Sequence, residues 1–400
     1  MSSSRLKTFG GALIVGGTAI GAGMLSLPVA TATAGFFPTI ALYFLCWLFS
    51  AATGLLLLEI CLWMPNEANI ISMTRHLLGP FGKIAAWLLY LFLFYCLTIA
   101  YTLKGGEFFS LVLGGFLPRI LGIALFTVLF GSVVYLGPNA VNRTNALLMV
   151  GLAASYVLFA ALGFGEMKSE LLKRANWPSV TLGLPIIFAS FSFQGVIPSL
   201  TSYFERNPKP VRFAIIIGSS LPFVAYTIWQ LLIIGIVPLE GKHGLAHALT
   251  QGQTAVEPLR FLLPASPIYW IGQFFAMFAL TTSFLGVTLG LLDFLSDGLQ
   301  MPKKGGSKIF LCALIYVPAA LIAALHPSIF IKALEYAGGI GCALLLGLLP
   351  IAMVWMGRYV KKYSSLQCQL RGGKVVLVLL ALFVCFEVAL ELIKEWVFAT

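Results

Sequence analysis

The stretch GGTAIGAGMLSLP, residues 16–28, places Gly16, Gly17, Gly21 and Gly23 together with Thr18 inside an apolar N-terminal run. Glycine in a helix interior costs about 1 kcal/mol relative to alanine, so this run weakens its own helix in the middle. Two chemistries account for that. Gly17 and Gly21 form a GxxxG pair, which lets two membrane helices approach closely. Alternatively the helix is discontinuous, and the backbone groups it frees, which lipid would penalise by several kcal/mol, are left for a ligand. A half-helix N-terminus then offers N–H groups and a positive dipole end to an anion. On that reading the N–H groups of Ala22, Gly23 and Met24, with Gly21 leaving room for close approach, take a carboxylate. Carbonyls freed near Thr18 and Ala19 take an ammonium.

A second stretch of the same kind is GLPIIFASFSFQGVIPSLTSYF, residues 183–204, where Ser190, Ser192, Gln194, Gly195, Pro198 and Ser199 interrupt an apolar run near its centre. Pro198 removes a helix hydrogen bond and Gly195 relaxes the backbone before it. Ser192, Phe193, Gln194 and Gly195 are the matching ligand candidates, with the Phe193 and Gln194 carbonyls facing the ammonium. Two coincident breaks raise the discontinuous reading above packing alone. The site they imply reads a zwitterion with main-chain groups and no buried ion pair from the protein.

A side-chain pocket needs other residues. Tyr90, Phe94 and Tyr101 share a helical stripe, with Tyr95 and Thr98 nearby, and aromatic pairs add about 0.5–1.5 kcal/mol beyond area burial. Tyr95, Thr98 and Tyr101 are the candidates, although such stripes more often face lipid or core. Ionisable groups within spans are functional candidates by default. Glu59 and Asp293 lie about one turn from span ends, and Lys104 and Glu107 are three apart on one face near another. Glu335 is near an end, and Glu387 lies deepest, in the last helix. No acidic residue occupies the midplane of the central spans. Thr281, Thr282 and Ser283 offer hydroxyl oxygens, which suit a hard cation; with carbonyls near Gly16 and Ala19 they are a candidate sodium site. Back-bonding to their own helix explains the same run equally well.

The elements that carry these residues are set by composition. The 400-residue chain is 60% hydrophobic and 10% charged with a mean hydropathy of +0.97, more apolar surface than a soluble domain needs, so its solvent is lipid. A bilayer core of about 30 Å takes roughly 20 apolar residues per helix. Eleven spans are expected near 9–34, 37–64, 84–112, 120–138, 145–165, 182–204, 211–238, 267–295, 309–326, 329–357 and 374–398. The runs are continuously apolar rather than alternating, which excludes a β-barrel. The expected architecture is one all-α polytopic transmembrane domain over 1–400. A first repeat occupies 9–165 and a second 182–357, with an additional helix at 374–398. Each repeat has five spans and begins with a broken one; five is odd, so the repeats are inverted in topology.

Lysine and arginine set the orientation. With the N-terminus inside, 16 fall in inner connections and 8 in outer ones, so the N-terminus is expected in the cytoplasm and the C-terminus outside a cell inner membrane. Arg5, Lys7 and the small-residue VATATAG stretch imitate a cleavable signal peptide, but the Gly-rich break and ten further spans weigh against one. The net charge of +11 is assigned to topology and anionic-lipid contact, not to nucleic acid. Seven cysteines without a CxxC pair and four scattered histidines give no metal or redox motif, so no cofactor and no metal are expected. NRT at Asn142 falls on the inner side, and no GxxxxGK phosphate loop occurs. No nucleophile–base pair supports an enzyme, no ring of charges supports a channel, and no obligatory protein partner is evident.

GGTAIGAGMLSLPVATATAGF, FSFQGVIPSL at 191–200 and TTSFLGVTLGLLDFLSD at 281–297 resemble the hydroxy/aromatic amino acid permease family, a branch of the amino acid–polyamine–organocation superfamily, and most closely its bacterial tyrosine-specific members. The eleven-span plan fits end to end. The resemblance implies a leucine-transporter-like fold, an aromatic L-amino acid substrate, tyrosine first, and proton symport by alternating access, with sodium coupling and broader specificity left open. The family's span-six motif carries a histidine where this chain has Gln194. For tyrosine, a positioned hydroxyl partner would reject phenylalanine strongly.

Overall fold

The computed structural model describes residues 3–65, 68–114, 117–364 and 368–399. Among these, the only strand-type pairing is an isolated bridge between Gly35 and Ala175. The chain is an all-α, multi-pass membrane protein. Ten helices are long and apolar enough to cross a bilayer, and the pair Lys7–Ala19 and Gly23–Ala30, bent by 55°, makes an eleventh span. The first span is therefore broken at its glycines. The second to fifth are Phe36–Trp63, Ile70–Val112, Arg119–Leu136 and Pro138–Glu166. The sixth runs from Trp177 to Tyr203 in four short pieces, and the seventh to ninth are Pro208–Ile236, Ile268–Gly298 and Gly305–Leu325. The tenth is Ile329–Val360 and the eleventh Gly373–Ala399.

Several boundaries differ from those expected, for local reasons. Span three begins at Ile70, not at 84, because Asn69 and Ser72 form a reciprocal capping box, at 2.8 and 3.0 Å, and the helix turns at Gly79–Pro80 before it crosses. Such a box satisfies two orphan N–H groups of the first turn. Spans four and five have almost no connection: Gly137 ends one and Pro138 starts the next. Proline suits a first helical turn, so Arg143 lies within a helix rather than in a loop. Pro198 does not break span six; it occupies the first turn of the helix Ile197–Tyr203. The break lies earlier, at Phe191–Phe193, followed by a tight turn over Gln194–Val196. Span ten is wound as a π-helix over Ala337–Leu348 and Met356–Val360.

Burial sorts the spans. In spans six, eight and ten, 61, 67 and 72% of the apolar window is buried inside the protein, against 22% in spans five, nine and eleven. The first set surrounds the centre and the second presents its apolar faces outward, as lipid solvent requires. The first half of span one lies along span seven, and its second half lies against the first half of span six. The two breaks therefore meet. The 239–266 stretch is not a plain loop: it holds the helix Leu245–Thr250 and docks on span one, with the Ala255 N–H donating to the Leu25 carbonyl at 3.0 Å.

Candidate functional site

Both breaks release main-chain groups, and named side chains meet them. The last helical bond before the first break is Ile20 N–H to the Gly16 carbonyl, 2.9 Å, and the helix resumes at Gly23. Between them the Ala22 N–H points at the Ser283 hydroxyl of span eight at 3.3 Å, a long bond for this pair. On the acceptor side, the fully buried Tyr226 of span seven places its hydroxyl 2.5 Å from the Ala19 carbonyl and 2.9 Å from the Ser190 carbonyl. One proton thus serves the C-terminal end of a half-helix from each broken span. At the start of Gly23–Ala30 the Met24 and Leu25 N–H groups already donate to the Gly21 and Ala22 carbonyls at 3.1 Å, so the Met24 N–H expected to take a carboxylate is occupied, while the positive end of the half-helix still lies at the break.

Two glycines make this approach possible. A β-carbon on Gly21 would overlap the Ser283 hydroxyl, and one on Gly23 would sit 2.5 Å from the Ser190 hydroxyl. Gly17 has no such neighbour, the nearest atom being the Met149 methyl at 3.5 Å. The glycines at 21 and 23 are thus required by packing at the break, whereas Gly17 is not.

The remaining candidates divide. Tyr101 is buried, and its hydroxyl lies beside Ser283 and in the field of Tyr226. Tyr95 is instead tied to span nine, donating to the Leu314 carbonyl at 2.6 Å. Thr98 is buried and returns its proton to the Phe94 carbonyl. Thr18 is exposed and bonds back to Ile14. Met24 is fully buried at the start of the second half-helix. Ser192 bonds back to Phe188 and lies beside Cys342 of span ten. The Gln194 side chain turns toward span two: it accepts from the Phe193 N–H at 2.9 Å and donates to Thr53 at 2.9 Å. It mends the broken backbone locally. Gly195 has open space around it.

The ion-coupling candidates are dispersed. Thr281 points its hydroxyl at the Met277 sulfur, and Thr282 bonds to the Phe278 and Ala279 carbonyls of its own helix. Only Ser283 of the three meets another span. Near the face that holds the N-terminus, Glu59 accepts two bonds from Arg358, each 2.7 Å, and one from the Gln369 N–H. Asp293 is exposed and paired with Lys303 at 2.7 Å. Near the far face, Lys104 pairs with Glu107 at 2.7 Å and lies 3.6 Å from Glu257 of the docked 239–266 stretch. Burial raises the Glu257 carboxyl above its usual range, against the opposing pull of the Lys104 ammonium and the Thr254 hydroxyl. No group of three or more metal-ligating side chains occurs among the described residues.

Sequence reasoning passed over Tyr226, Tyr43, Phe191 and Gln230, and counted Ser190 only among the residues that interrupt span six. Tyr43 donates to Gln230 at 2.8 Å, and Gln230 donates to Thr31 at 2.8 Å, which ties the second half of span one to spans two and seven. Phe191, Tyr43 and Tyr226 form edge-to-face contacts, with ring centres 5.1–6.5 Å apart. The aromatic lining beside the breaks thus comes from spans two, six and seven as well as from Tyr101. The available signal was a tyrosine and a glutamine at i and i+4, Tyr226 and Gln230, in the apolar second half of span seven.

Two broken spans whose half-helices meet at the centre of an all-helical bundle are the arrangement of the leucine-transporter-like fold. The crystal structure of MhsT in complex with L-phenylalanine has this fold: it superposes with a TM-score of 0.66 over 96% of this chain and 97% of that one, at 13% identity. Residues 4–391 match the tryptophan/tyrosine permease family, and the chain belongs to that family. It is similar to tyrosine-specific transport system 1 of Haemophilus influenzae, 31% identical over 93% of each chain. The tryptophan-specific transport protein of Pseudomonas aeruginosa is 30% identical over 95% of this chain and 93% of its own. A tyrosine permease of Enterobacter agglomerans is 27% identical over 82% of both. These relatives are transport proteins rather than enzymes.

Proposed function

We propose that the chain carries aromatic amino acids, tyrosine foremost, into the cell by proton symport through alternating access. It would sit in the inner membrane with its N-terminus in the cytoplasm, as the two-to-one excess of basic residues on that side favours. The observation that carries the reading is the pairing of an N–H at one break with carbonyls at both. A substrate carboxylate takes the place of the Ser283 hydroxyl on the Ala22 N–H and its neighbours, and the ammonium replaces the Tyr226 proton near the Ala19 and Ser190 carbonyls. The two hydroxyls are stand-ins that keep the site satisfied when it is empty, where bare backbone would be costly. The ring lies among Phe191, Tyr43, Tyr226 and Tyr101. The phenol needs a hydroxyl partner among these rings, away from the carboxylate end at Ser283, and a site built to bond a hydroxyl rejects the analogue that lacks it.

Proton rather than sodium coupling is favoured because Thr281 and Thr282 spend their hydroxyls on their own helix. Uptake of labelled tyrosine into proteoliposomes, with imposed proton and sodium gradients applied separately, tests the reading. Unlabelled tryptophan, phenylalanine and leucine serve as competitors. Concentrative uptake with the proton gradient, blocked best by tyrosine, is expected. Uptake with sodium alone overturns the coupling, and stronger competition by tryptophan overturns the preference.

A further inference from the structure

Span eleven lies outside the two broken-helix repeats, yet it holds the most deeply enclosed acid among the described residues. Glu387 is 0% exposed, and neither of its carboxyl oxygens has a hydrogen-bond partner. Its Oε1 is 3.3 Å from where a β-carbon on Gly339 would stand, so the carboxyl faces the π-wound segment of span ten. π-bulges are rare in helices and are frequent at functional sites. Toward the far face the same stripe of span eleven continues with Glu391, 1% exposed, and then Lys394, which pairs with Glu335 of span ten. Positions 387, 391 and 394 follow helical spacing. In the other direction Phe383 closes the stripe, packing on Phe49 at 5.3 Å and Phe188 at 5.6 Å. The other ionisable group facing Glu387 is the buried Cys46 thiol of span two; the half-helix Leu184–Ser190 of span six brings none.

An ionised carboxylate enclosed without donors is far more costly than its neutral acid. The stripe's own cation is engaged one level outward with Glu335, and the ligand that fits between two carboxyl oxygens and a wall of aromatic and aliphatic carbon is a proton. We propose that Glu387 is a proton-binding site loaded from the far face by way of Glu391 and the Glu335–Lys394 pair, and that its proton is the one transported with substrate. This inference rests on the proton-symport reading above. The only bond formed is O–H on the Glu387 carboxyl; the same bond breaks when the Phe49–Phe188–Phe383 closure parts and the proton leaves toward the N-terminal face.

The link to the substrate site is steric. A β-carbon on Gly338 would overlap the Pro185 carbonyl and come within 3.0 Å of the Ala189 nitrogen. The π segment that faces Glu387 is thus in backbone contact with the half-helix of span six that ends at Ser190. That half-helix carries Phe188 of the closure and the Ser190 hydroxyl beside Gly23. Placing or removing a charge at Glu387 changes how the π segment seats on this half-helix, and with it the geometry of the break.

The test compares wild type with Glu387→Gln, which keeps shape and removes the exchangeable proton. Tyrosine counterflow, which needs no net proton movement, is expected to persist in the variant. Accumulation driven by a pH gradient is expected to fall to the passive level. Infrared difference spectra of wild type on tyrosine addition are expected to show a protonated-carboxyl band that disappears in Glu387→Gln and persists in Glu391→Gln. A Gln variant that still accumulates tyrosine along the pH gradient overturns the role of Glu387 and leaves proton symport standing. A wild type indifferent to the pH gradient overturns both. If Glu387→Gln loses counterflow as well, the wild-type spectrum decides: a substrate-sensitive carboxyl band that persists in Glu391→Gln supports the proposal, and no such band overturns it.

Discussion

The two ends of the bundle are fastened by ion pairs of different build. Near the N-terminal face, Glu59 and Arg358 meet in a two-pronged contact, and the Gln369 N–H and Leu370 carbonyl complete their bonding. Arg206 joins the end of span six to the Met64 and Leu62 carbonyls at 2.5 and 2.7 Å. Near the far face, Lys104 is shared between Glu107 on its own helix and Glu257 on a docked segment, the latter at 3.6 Å. The first fastening ties membrane spans to one another with near-ideal geometry. The second ties a connecting segment to a span and is long. Of these two contacts, the longer one parts at less cost.

The largest effect is expected from unbalancing the tight pair. Glu59→Ala leaves Arg358 enclosed without its partner, a change that costs about 3–5 kcal/mol for buried pairs, so the purified protein should melt well below wild type. Replacing both, as Glu59→Ala with Arg358→Leu, should recover much of the loss, since removing both partners is often close to neutral. A single variant that melts like wild type would make the two ends equivalent and remove the contrast.

A smaller effect is expected at the centre. Tyr226→Phe takes the proton from the Ala19 and Ser190 carbonyls, and leaving buried acceptors without a donor costs about 1–3 kcal/mol. The melting temperature should fall by less than in Glu59→Ala, and tyrosine binding should tighten, since the ammonium no longer has a hydroxyl donor to displace. Unchanged values for both would mean that the hydroxyl does not hold the two breaks.

The smallest effect belongs to the far face and depends on pH. Docking raises the Glu257 carboxyl above its usual range, so the docked segment binds more protons than the released one. Docking is therefore strongest below the ordinary carboxylate range and weakens as pH rises through the raised value. Protection of the 239–266 segment from protease should decline over that window in wild type. Lys104→Met removes an opposing influence and should move the decline to higher pH. A decline that stays in place would show that Lys104 does not reach Glu257 in the membrane.

Much of the fold was legible because lipid imposes a coarse rule: continuous apolar runs long enough to cross, with breaks tolerated only in the protein interior. The glycines at 16–23 and the polar run at 190–199 therefore marked both broken spans. Boundaries were less legible where capping or proline chemistry overrode hydropathy, as at Asn69–Ser72 and Pro138, and Pro198 read as a breaker where it starts a helix. Of the site, Ala19, Gly21, Ala22, Gly23 and Ser283 come together, because backbone freedom is written in glycine. The partner Tyr226 was not visible, since nothing local distinguishes a tyrosine that bridges two carbonyls from one that packs in a core. Tyr95 lies near the stripe of Tyr90, Phe94 and Tyr101 but is tied to span nine. Glu387 was seen as deep, but its π-wound partner could not be read from glycines and leucines.

The central claim is that the first break binds the substrate carboxylate through its backbone. Tyrosine binding to purified Gly23→Leu, set beside Gly17→Leu, measures it directly. Gly23 is crowded by Ser190 and Gly17 faces only a flexible methionine. The account predicts a membrane-inserted Gly23→Leu protein that no longer binds tyrosine, and a Gly17→Leu protein that still does. Binding retained at Gly23→Leu would contradict it.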